Sequence, residues 1–522
     1  MELVTAAEMR ALDRAAIDER NIPAIRLMEN AGKAVVDEME RQFGSLRKKR
    51  VTVVAGKGQN GGDGFVAARL LKQRMAILHM TVLGSPTALK DAAAVSFKRF
   101  TAKGGRCHAI TRESDVRDIL VPFVEKADYI VDAIFGTGLN APIEGPAATA
   151  IAAMNESGRP IIAVDLPSGL NSDTGKVMGT AVKAALTVTL ARPKRGLYLG
   201  LGPDYAGVIR VADIGIPDDA VAAAKIPLAL LDRSYVQPFL RARPRAAHKG
   251  TFGHAGIIAG SVGKTGAAAM AATAALRTGA GLVTVATPAS INDVLEGKLL
   301  EAMTFPVPET AARTLSLQAH EHLLTFAMDK TAVAIGPGIG RHPETVKLVH
   351  QLVATLERPF VLDADALNAV AERRDVLHSA KAAIIVTPHP GEMARLMGLT
   401  TANVQKERLV VACRLAQEEN VYVVLKGAGT IVAAPDGRMA INSTGNPGLA
   451  TAGTGDVLTG MIAGLLAQGL SPWEAACLAT YLHGLAGDLA TCRVGQVGLI
   501  AGDVMRSIPE AIAQIVGPSP HR

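Results

Sequence analysis

Residues 445–460 read G-N-P-G-L-A-T-A-G-T-G-D-V-L-T-G and run straight into an apolar helical pattern, Val457, Leu458, Met461, Ile462 and Leu465. Gly453 and Gly455 let the backbone turn where a Cβ would clash. The helix that follows leaves its first amide N–H groups unpaired and turns the positive end of its dipole to the loop. That is an anion site, and phosphate is its usual occupant. Asp456 stands at this positive end. A carboxylate there is placed to take a proton from a hydroxyl attacking phosphorus. One short segment thus offers both an oxyanion cradle and a base. A lone G-x-G-D would read as an Asp helix cap beside a flexible loop. The preceding Asn446-Pro447-Gly448 and the strand-end loops elsewhere favour phosphoryl chemistry.

Those loops follow short apolar runs. Residues 51–55 read as a buried strand that opens into Gly56-Lys57-Gly58-Gln59-Asn60-Gly61-Gly62-Asp63-Gly64, with a helix expected from Phe65. Strand, glycine loop, helix is the doubly wound pattern, whose ligands sit at the carboxyl ends of strands. The loop is neither a Walker A sequence nor a clean G-x-G-x-x-G. Its polar Asn60 and Asp63 favour a site over a merely tight turn. The runs 129–134 and 161–164 end in the same manner. Asp132 precedes Gly136-Thr137-Gly138-Leu139-Asn140-Ala141-Pro142, and Asp165 precedes Leu166-Pro167-Ser168-Gly169. Each Asp alone could cap a helix, but the repetition favours convergence on one crevice. Asp132, Asp165, Asn60 and the Ser168 hydroxyl are hard oxygen donors, suited to a monovalent cation or a polar ligand.

Strand-like runs at 186–190 and 208–211 follow, and Ile214 to Pro217 closes the first half. Residues 218–243 alternate Ala-rich, Pro-containing and charged pieces and read as a junction. In the second half, a strand at 255–259 leads to Gly260-Ser261-Val262-Gly263-Lys264-Thr265. That tail fails as a P-loop, because the first glycine of G-x-x-x-x-G-K-T would fall on Ile258. A small-residue helix at 266–277 and a strand through Val285 complete a βαβ unit. Later runs switch into Gly336-Pro337-Gly338, Asp363-Ala364-Asp365, Thr387-Pro388-His389-Pro390-Gly391-Glu392 and Lys426-Gly427-Ala428-Gly429-Thr430. Residues 431–434 and 439–442, joined by Pro435-Asp436-Gly437, read as a hairpin. His389, flanked by prolines at a strand end, is expected to project into the crevice. His483 reads as core or surface. For Lys426, a phosphate contact and a solvated strand-end lysine weigh equally.

Positioning these loops takes strands alternating with helices in both halves, which gives an α/β fold class with two three-layer α/β/α domains. The 522 residues exceed one ordinary core. Thr5-Ala6-Ala7-Glu8 is a capping box that opens the first helix. A second helix is expected from Pro23 to Gly44. Aromatic residues make up only 3%, which argues against base-stacking platforms for single strands. The net charge of +7 is spread along the chain and suits anionic small molecules as well as nucleic acid. Cys107, Cys413, Cys477 and Cys492 form no C-x-x-C pair, so a reduced cytosolic chain without a zinc site is expected. No signal peptide is visible. Gly460, Gly464, Gly469 and Pro472 interrupt the longest apolar run, so it reads as a buried helix rather than a membrane span.

Taken together, the motifs resemble those of the bifunctional NAD(P)H-hydrate repair enzymes over the whole chain. Residues 1–215 look like the Rossmann-like epimerase domain, on G-Q-N-G-G-D-G, V-D-A-I-F-G-T-G-L-N-A-P and V-D-L-P-S-G. Residues 225–522 look like the ribokinase-like, ADP-dependent dehydratase domain. Its motifs are H-K-G-x-x-G, A-L-R-T-G-A-G-L-V, G-P-G-I-G, D-A-D-A-L-N, T-P-H-P-G-E, K-G-A-G-T and N-P-G-L-A-T-A-G-T-G-D.

The resemblance implies interconversion of the R and S hydrates of NADH and NADPH. It also implies dehydration of the S hydrate, coupled to cleavage of ADP to AMP and phosphate. Asn60, Asp132 and Ser168 would ligate a potassium ion. Asn60, Gly61, Gly62 and Asp63 would contact the hydrate, as would Gly136, Thr137, Gly138, Leu139, Asn140, Ala141, Pro142 and Asp165. In the second domain the hydrate contacts would be Ala267, Gly338, His389 and Asp456. ADP would lie on Lys426, Gly427, Ala428, Gly429 and Thr430, and on Asn446, Pro447, Gly448, Gly453, Thr454 and Gly455. Magnesium would escort the ADP, though no dedicated cage of acids is visible. Asp456 would deprotonate the ring hydroxyl, and Asp165 is the expected proton carrier of epimerisation. The family's loop often reads N-N-G-G-D; here its first position is Gln59. The partners expected are the small molecules NADHX, NADPHX and ADP, with neither nucleic acid nor membrane, in a cytoplasmic homo-oligomer. The second half alone would also permit a kinase of a vitamin precursor or sugar, because fold does not fix substrate. A rival of another class is a nucleotide- or RNA-binding protein without catalysis.

Overall fold

Short Val- and Ile-rich runs become parallel strands in both halves of the chain. The computed structural model describes residues 1–516. Residues Glu2–Ile226 form one compact unit, and a second runs from Pro227 to the C-terminus and takes in Met1. The first unit holds β1 (Arg50–Ala55), β2 (Ile77–Leu83), β3 (His108–Ile110), β4 (Tyr129–Ala133), β5 (Ile161–Val164), β6 (Leu186–Leu190) and β7 (Val208–Ala212). They form one parallel sheet in the order β3-β2-β1-β4-β5-β6-β7. β1, β4, β5 and β6 are buried almost throughout, as strands covered by helices on both faces must be. The order reverses between β1 and β4, which opens a crevice at their carboxyl ends. β2 and β3 escape a reading from sequence: the outer end of β2 is solvated, and β3 is a short edge strand.

The helix expected from Phe65 begins at Gln59 and runs to Gln73. Gly61, Gly62 and Gly64 therefore lie in its first turns, not in a loop. They are there for close approach. A Cβ on Gly61 would sit 2.0 Å from the Gly56 carbonyl oxygen, and one on Gly64 would sit 2.6 Å from the Ala133 Cβ. Gly61→Ala should accordingly destabilise this unit by about 3 kcal/mol, through overpacking against rigid backbone. A thermal melt should show an earlier transition for this unit alone.

The second unit contains β8 (Leu228–Leu231), β9 (His254–Ile258), β10 (Leu282–Pro288), β11 (Met303–Val307), β12 (Ala332–Ile335), β13 (Phe360–Leu362), β14 (Ile384–Val386), β15 (Tyr422–Leu425), β16 (Ile431–Ala433) and β17 (Met439–Asn442). Their order is β11-β10-β9-β12-β13-β14-β15-β16-β17-β8. β15, β16 and β17 pair antiparallel, which includes the expected hairpin. β8 corrects the reading of residues 218–243 as a junction: it pairs with β17 and forms the sheet edge. Its apolar run is too short to stand out from the Ala-rich residues before it. β11 was also not read; it is half-exposed, carries Pro306 and occupies the other edge.

A second reversal lies between β9 and β12, and another crevice opens there. The helix Thr454–Ala467 packs on the helix Thr265–Thr278 at backbone distance. A Cβ on Gly460 would lie 2.0 Å from the Ala271 carbonyl oxygen. This contact fixes the helix whose N-terminus faces the second crevice. Among the described residues, no helix is long and apolar enough to cross a membrane.

Candidate active sites

In the first crevice, Asp132 ends β4 with its side chain fully buried. One carboxylate oxygen accepts from the Ser168 amide at 2.8 Å, and the other from the Ser168 hydroxyl at 2.6 Å and the Ile134 amide at 3.2 Å. Burial still raises the carboxyl to about 6 against these bonds. The Ser168 oxygen in turn accepts from the Phe135 amide at 2.8 Å. The loops after β4 and β5 are thereby tied together. Gly136 faces Asn60: a Cβ there would lie 3.4 Å from the Asn60 Cβ. The Asn60 Nδ2 is buried without a partner. Turning the amide over would present its oxygen instead. Asn60, Asp132 and Ser168 then form an all-oxygen set whose chemistry fits potassium.

A cavity of roughly 680 Å³ opens beside this set, lined by Asn60, Asp63, Gly136, Thr137, Gly138, Leu139 and Asp165 among others. Asn140, Ala141 and Pro142 lie outside it and are exposed. Gly61 and Gly62 do not line it either: a Cβ there would meet Gly56 and Met28. Asp165 adopts φ +68, left-handed backbone that a non-glycine residue rarely takes and that clusters at functional sites. Its Oδ1 accepts from the Leu190 amide at 3.0 Å and pairs with the Lys194 ammonium. Lys194 is 1% exposed and also donates to the Leu190 carbonyl at 2.8 Å.

Lys194 and Asp13 were missed from sequence. Lys194 follows a strand end as Lys426 does, and that parallel was available. Asp13 lies inside an ordinary amphipathic helix, Ala6–Arg14, and carries no local signal. It lines the cavity. Burial lifts its carboxyl to about 6, Lys194 opposes the rise and Asp165 adds to it. Asp63 is pushed well above the usual carboxylate range by burial, then by the charges of Asp165 and Asp13.

In the second crevice, Gly338 and Ala267 meet: a Cβ on Gly338 would lie 3.3 Å from the Ala267 Cβ. The Gly338 carbonyl accepts from the Ser261 hydroxyl at 2.6 Å. Asp363, at the end of β13, accepts from Lys426 Nζ at 2.7 Å and from the Thr459 hydroxyl at 2.7 Å. Lys426 Nζ is 3.9 Å from Glu392 Oε2 and 3.4 Å from where a Cβ on Gly455 would project. It is therefore a lysine held against the helix N-terminus, not a solvated one. Burial alone would lower its pKa; the Asp363 and Glu392 charges and the bond to Asp363 outweigh this and raise it. Asp456 stands in the first turn of the helix Thr454–Ala467, after Gly453 in a left-handed N-cap. Burial, reinforced by Asp363 and opposed by Lys426, raises its carboxyl to about 6.

His389 caps the helix Pro390–Met397 through Nδ1, which accepts from the Gly391 amide at 3.0 Å. Its half-exposed ring leaves Nε2 3.5 Å from Glu392 Oε1. Burial, then Lys426, lowers its pKa. Burial lifts Glu392 to about 7. The loop from Lys426 to Thr430 is gripped by Arg408, whose guanidinium donates to the carbonyls of Leu425, Lys426 and Ala428. The Asn446 side chain is already engaged: its oxygen accepts from the Gly448 amide at 3.0 Å and its nitrogen donates to Asp488 at 2.8 Å. His483 is neither plain core nor surface, because its Nε2 lies 2.9 Å from the Thr454 carbonyl, beneath the glycine loop. Among the described residues, no group of three His, Cys, Asp or Glu side chains is arranged to hold a metal.

Two family models match, in the order of the two units. The N-terminal one, described as YjeF-related protein N-terminus, covers residues 24–196. The C-terminal one, described as NAD(P)H-hydrate dehydratase, covers residues 255–510. A bifunctional NAD(P)H-hydrate repair enzyme of Moorella thermoacetica is 45% identical over 518 residues, covering 99% of this chain and 97% of its own. The chain belongs to the bifunctional NAD(P)H-hydrate repair enzyme family. The Escherichia coli K12 relative of the same description is 35% identical over 508 residues, 97% of this chain and 93% of its own. A solved Bacillus subtilis ADP/ATP-dependent NAD(P)H-hydrate dehydratase, co-crystallized with ATP/Mg2+, is 32% identical; it covers 55% of this chain and 98% of its own, with a TM-score of 0.48. The family's two-part build matches the two α/β units, each with its own crevice at a sheet reversal.

Proposed function

We propose that this chain repairs hydrated NADH and NADPH in two steps: the first unit epimerises the R and S hydrates, and the second dehydrates the S hydrate at the expense of ADP. The observation that carries the second step is that Asp456 and Lys426 both stand at one helix N-terminus. Asp456 takes the proton of the ring hydroxyl. That oxygen attacks the terminal phosphorus of ADP, and AMP leaves. The free amides of residues 453–455 stabilise the charge on the phosphoryl group in flight. Phosphate then departs from the ring with the C–O electron pair, a neighbouring carbon loses a proton, and the dihydropyridine is restored. His389, Gly338 and Ala267 bound the hydrate. The loops holding Lys426, Gly427, Ala428, Gly429 and Thr430, and Asn446, Pro447 and Gly448, bound the nucleotide. Asn446 serves there by shaping its own loop. Magnesium would come on the nucleotide's phosphates, since Asp363 and Glu392 already answer Lys426.

In the first unit, potassium on Asn60, Asp132 and Ser168 would supply a fixed positive charge at the strand ends. Asp63 and Asp165 face the hydrate, and Asp165 handles a proton. The protein is read as a cytoplasmic homo-oligomer acting on small molecules, and sedimentation of the full chain tests the assembly. The kinase alternative loses ground because the first unit would have no purpose beside it.

The decisive experiment supplies mixed hydrate epimers with ADP or ATP and follows reduced nicotinamide absorbance. Full recovery supports both steps. Recovery of half the mixture sinks the epimerase step, and a stable phosphorylated product favours the kinase. The pH profile adds a check. Asp456 works as a base only when ionised, and its carboxyl lies at about 6. Dehydration should be level above pH 7 and fall about tenfold per unit below pH 6.

A further inference from the structure

We propose that Asp13 is the second proton-handling residue of the epimerisation, acting beside Asp165 in the first cavity. The inference rests on the epimerase reading and deepens it. The hydrate's hydroxyl sits on a ring carbon beside a ring nitrogen. In the proposed route to inversion of that carbon, the hydroxyl leaves one face and water adds to the other. On leaving, the oxygen takes the C–O electron pair and one proton from an acid and departs as water, while the nitrogen lone pair closes a C=N bond. On addition, water forms the new C–O bond, the pair returns to nitrogen and one proton passes to a base. Nothing is gained or lost overall.

By this route a proton is delivered on one face and removed on the other, work that two carboxyls on separate elements can divide. Asp165 comes from the end of β5 and is pinned by the Leu190 amide and Lys194. Asp13 reaches the same cavity from the helix Ala6–Arg14. A π-helical turn, Ala15–Glu19, follows at once, and Ile17 from that turn also lines the cavity. Such turns recur at functional sites. Asp63 is as enclosed as Asp165, each 8% exposed, and lies in the first turns of the helix Gln59–Gln73, so of the two remaining carboxyls Asp13 has the better access to water. Asp13 is half-buried and can exchange its proton with water between turnovers. The three carboxyls share the single buried lysine of the cavity, so their charges compete.

The test uses full-length protein, R-enriched hydrate and ADP. Asp13→Asn should slow loss of the R hydrate about 100-fold, while repair of the S hydrate by the same molecules stays at the wild-type rate. Asp13→Glu should recover part of the loss. The melting shift induced by the R hydrate without ADP should persist in Asp13→Asn. In heavy-oxygen water, single-turnover inversion should place one labelled oxygen in the hydrate. Wild-type R consumption by Asp13→Asn, loss of the melting shift, or retention of the original oxygen would each overturn the assignment. If the wild-type protein does not accelerate R consumption, the epimerase reading itself falls.

Discussion

Asp456→Asn should lower turnover of the S hydrate about 1,000-fold and leave interconversion of the epimers at its wild-type rate. Asn matches Asp in shape but cannot accept the hydroxyl proton, and a positioned base contributes about 10²- to 10⁴-fold. The KM for ADP should change little, because the anion cradle consists of backbone N–H groups at the start of the helix Thr454–Ala467. Folding should be retained. Burial, then Asp363, penalise the charged carboxyl more than Lys426 favours it, so its removal relieves a cost rather than creating one. Two spectrophotometric assays on the same sample decide the matter: absorbance recovery from pure S hydrate with ADP, and loss of R hydrate when wild-type dehydratase is supplied separately. A binding protein without catalysis would be indifferent to this change. An unchanged S-hydrate rate would remove the base assigned here.

What the sequence disclosed and what it hid follow one physical divide. Placement carried by contiguous residues was readable. Strand-end carboxylates beside glycines announced both crevices, because a parallel sheet presents its ligands at the carboxyl ends of its strands. Asp456 announced itself by standing where an apolar helical pattern begins. The helix at Gln59 was read late because its glycines mimic a loop, yet their missing Cβ atoms serve packing against Gly56 and Ala133. Residues whose meaning depends on distant partners stayed silent. Asp13 and Asp165 are far apart in sequence and meet only through the cavity. Asp488 and His483 look like any polar residues of the helix Pro472–Val494. One takes the Gly445 amide at 2.9 Å and the other faces the Thr454 carbonyl. β8 needed its partner β17 to become a strand at all.

Lys426 shows how such hidden coupling joins stability to catalysis. Lys426→Met keeps the length of the side chain and removes its charge. Asp363 and Glu392 then face each other without a cation, in a place where both are buried. Stranding buried acids in this way costs about 3 kcal/mol, and the second unit should melt roughly 5 °C or more earlier. The loss should depend on pH with a definite sign. The Glu392 carboxyl already sits at about 7 in the wild-type fold, raised by burial and by Asp363. Without Lys426 it rises further, because that ammonium is the largest influence lowering it. A carboxyl whose folded pKa lies above its unfolded value stabilises the fold while protonated and loses that contribution as pH rises through the folded value. The destabilisation should therefore be slight near pH 5 and grow as pH rises past 7. Catalysis should move with it. Lys426 also lowers the Asp456 pKa, so the acid limb of the dehydration profile should shift to higher pH in the variant. The KM for ADP should rise as the phosphate loses its point charge. Pairing Lys426→Met with Glu392→Gln should restore much of the melting temperature and none of the ADP affinity. If stability and affinity returned together, the lysine would be a structural strut rather than a phosphate contact.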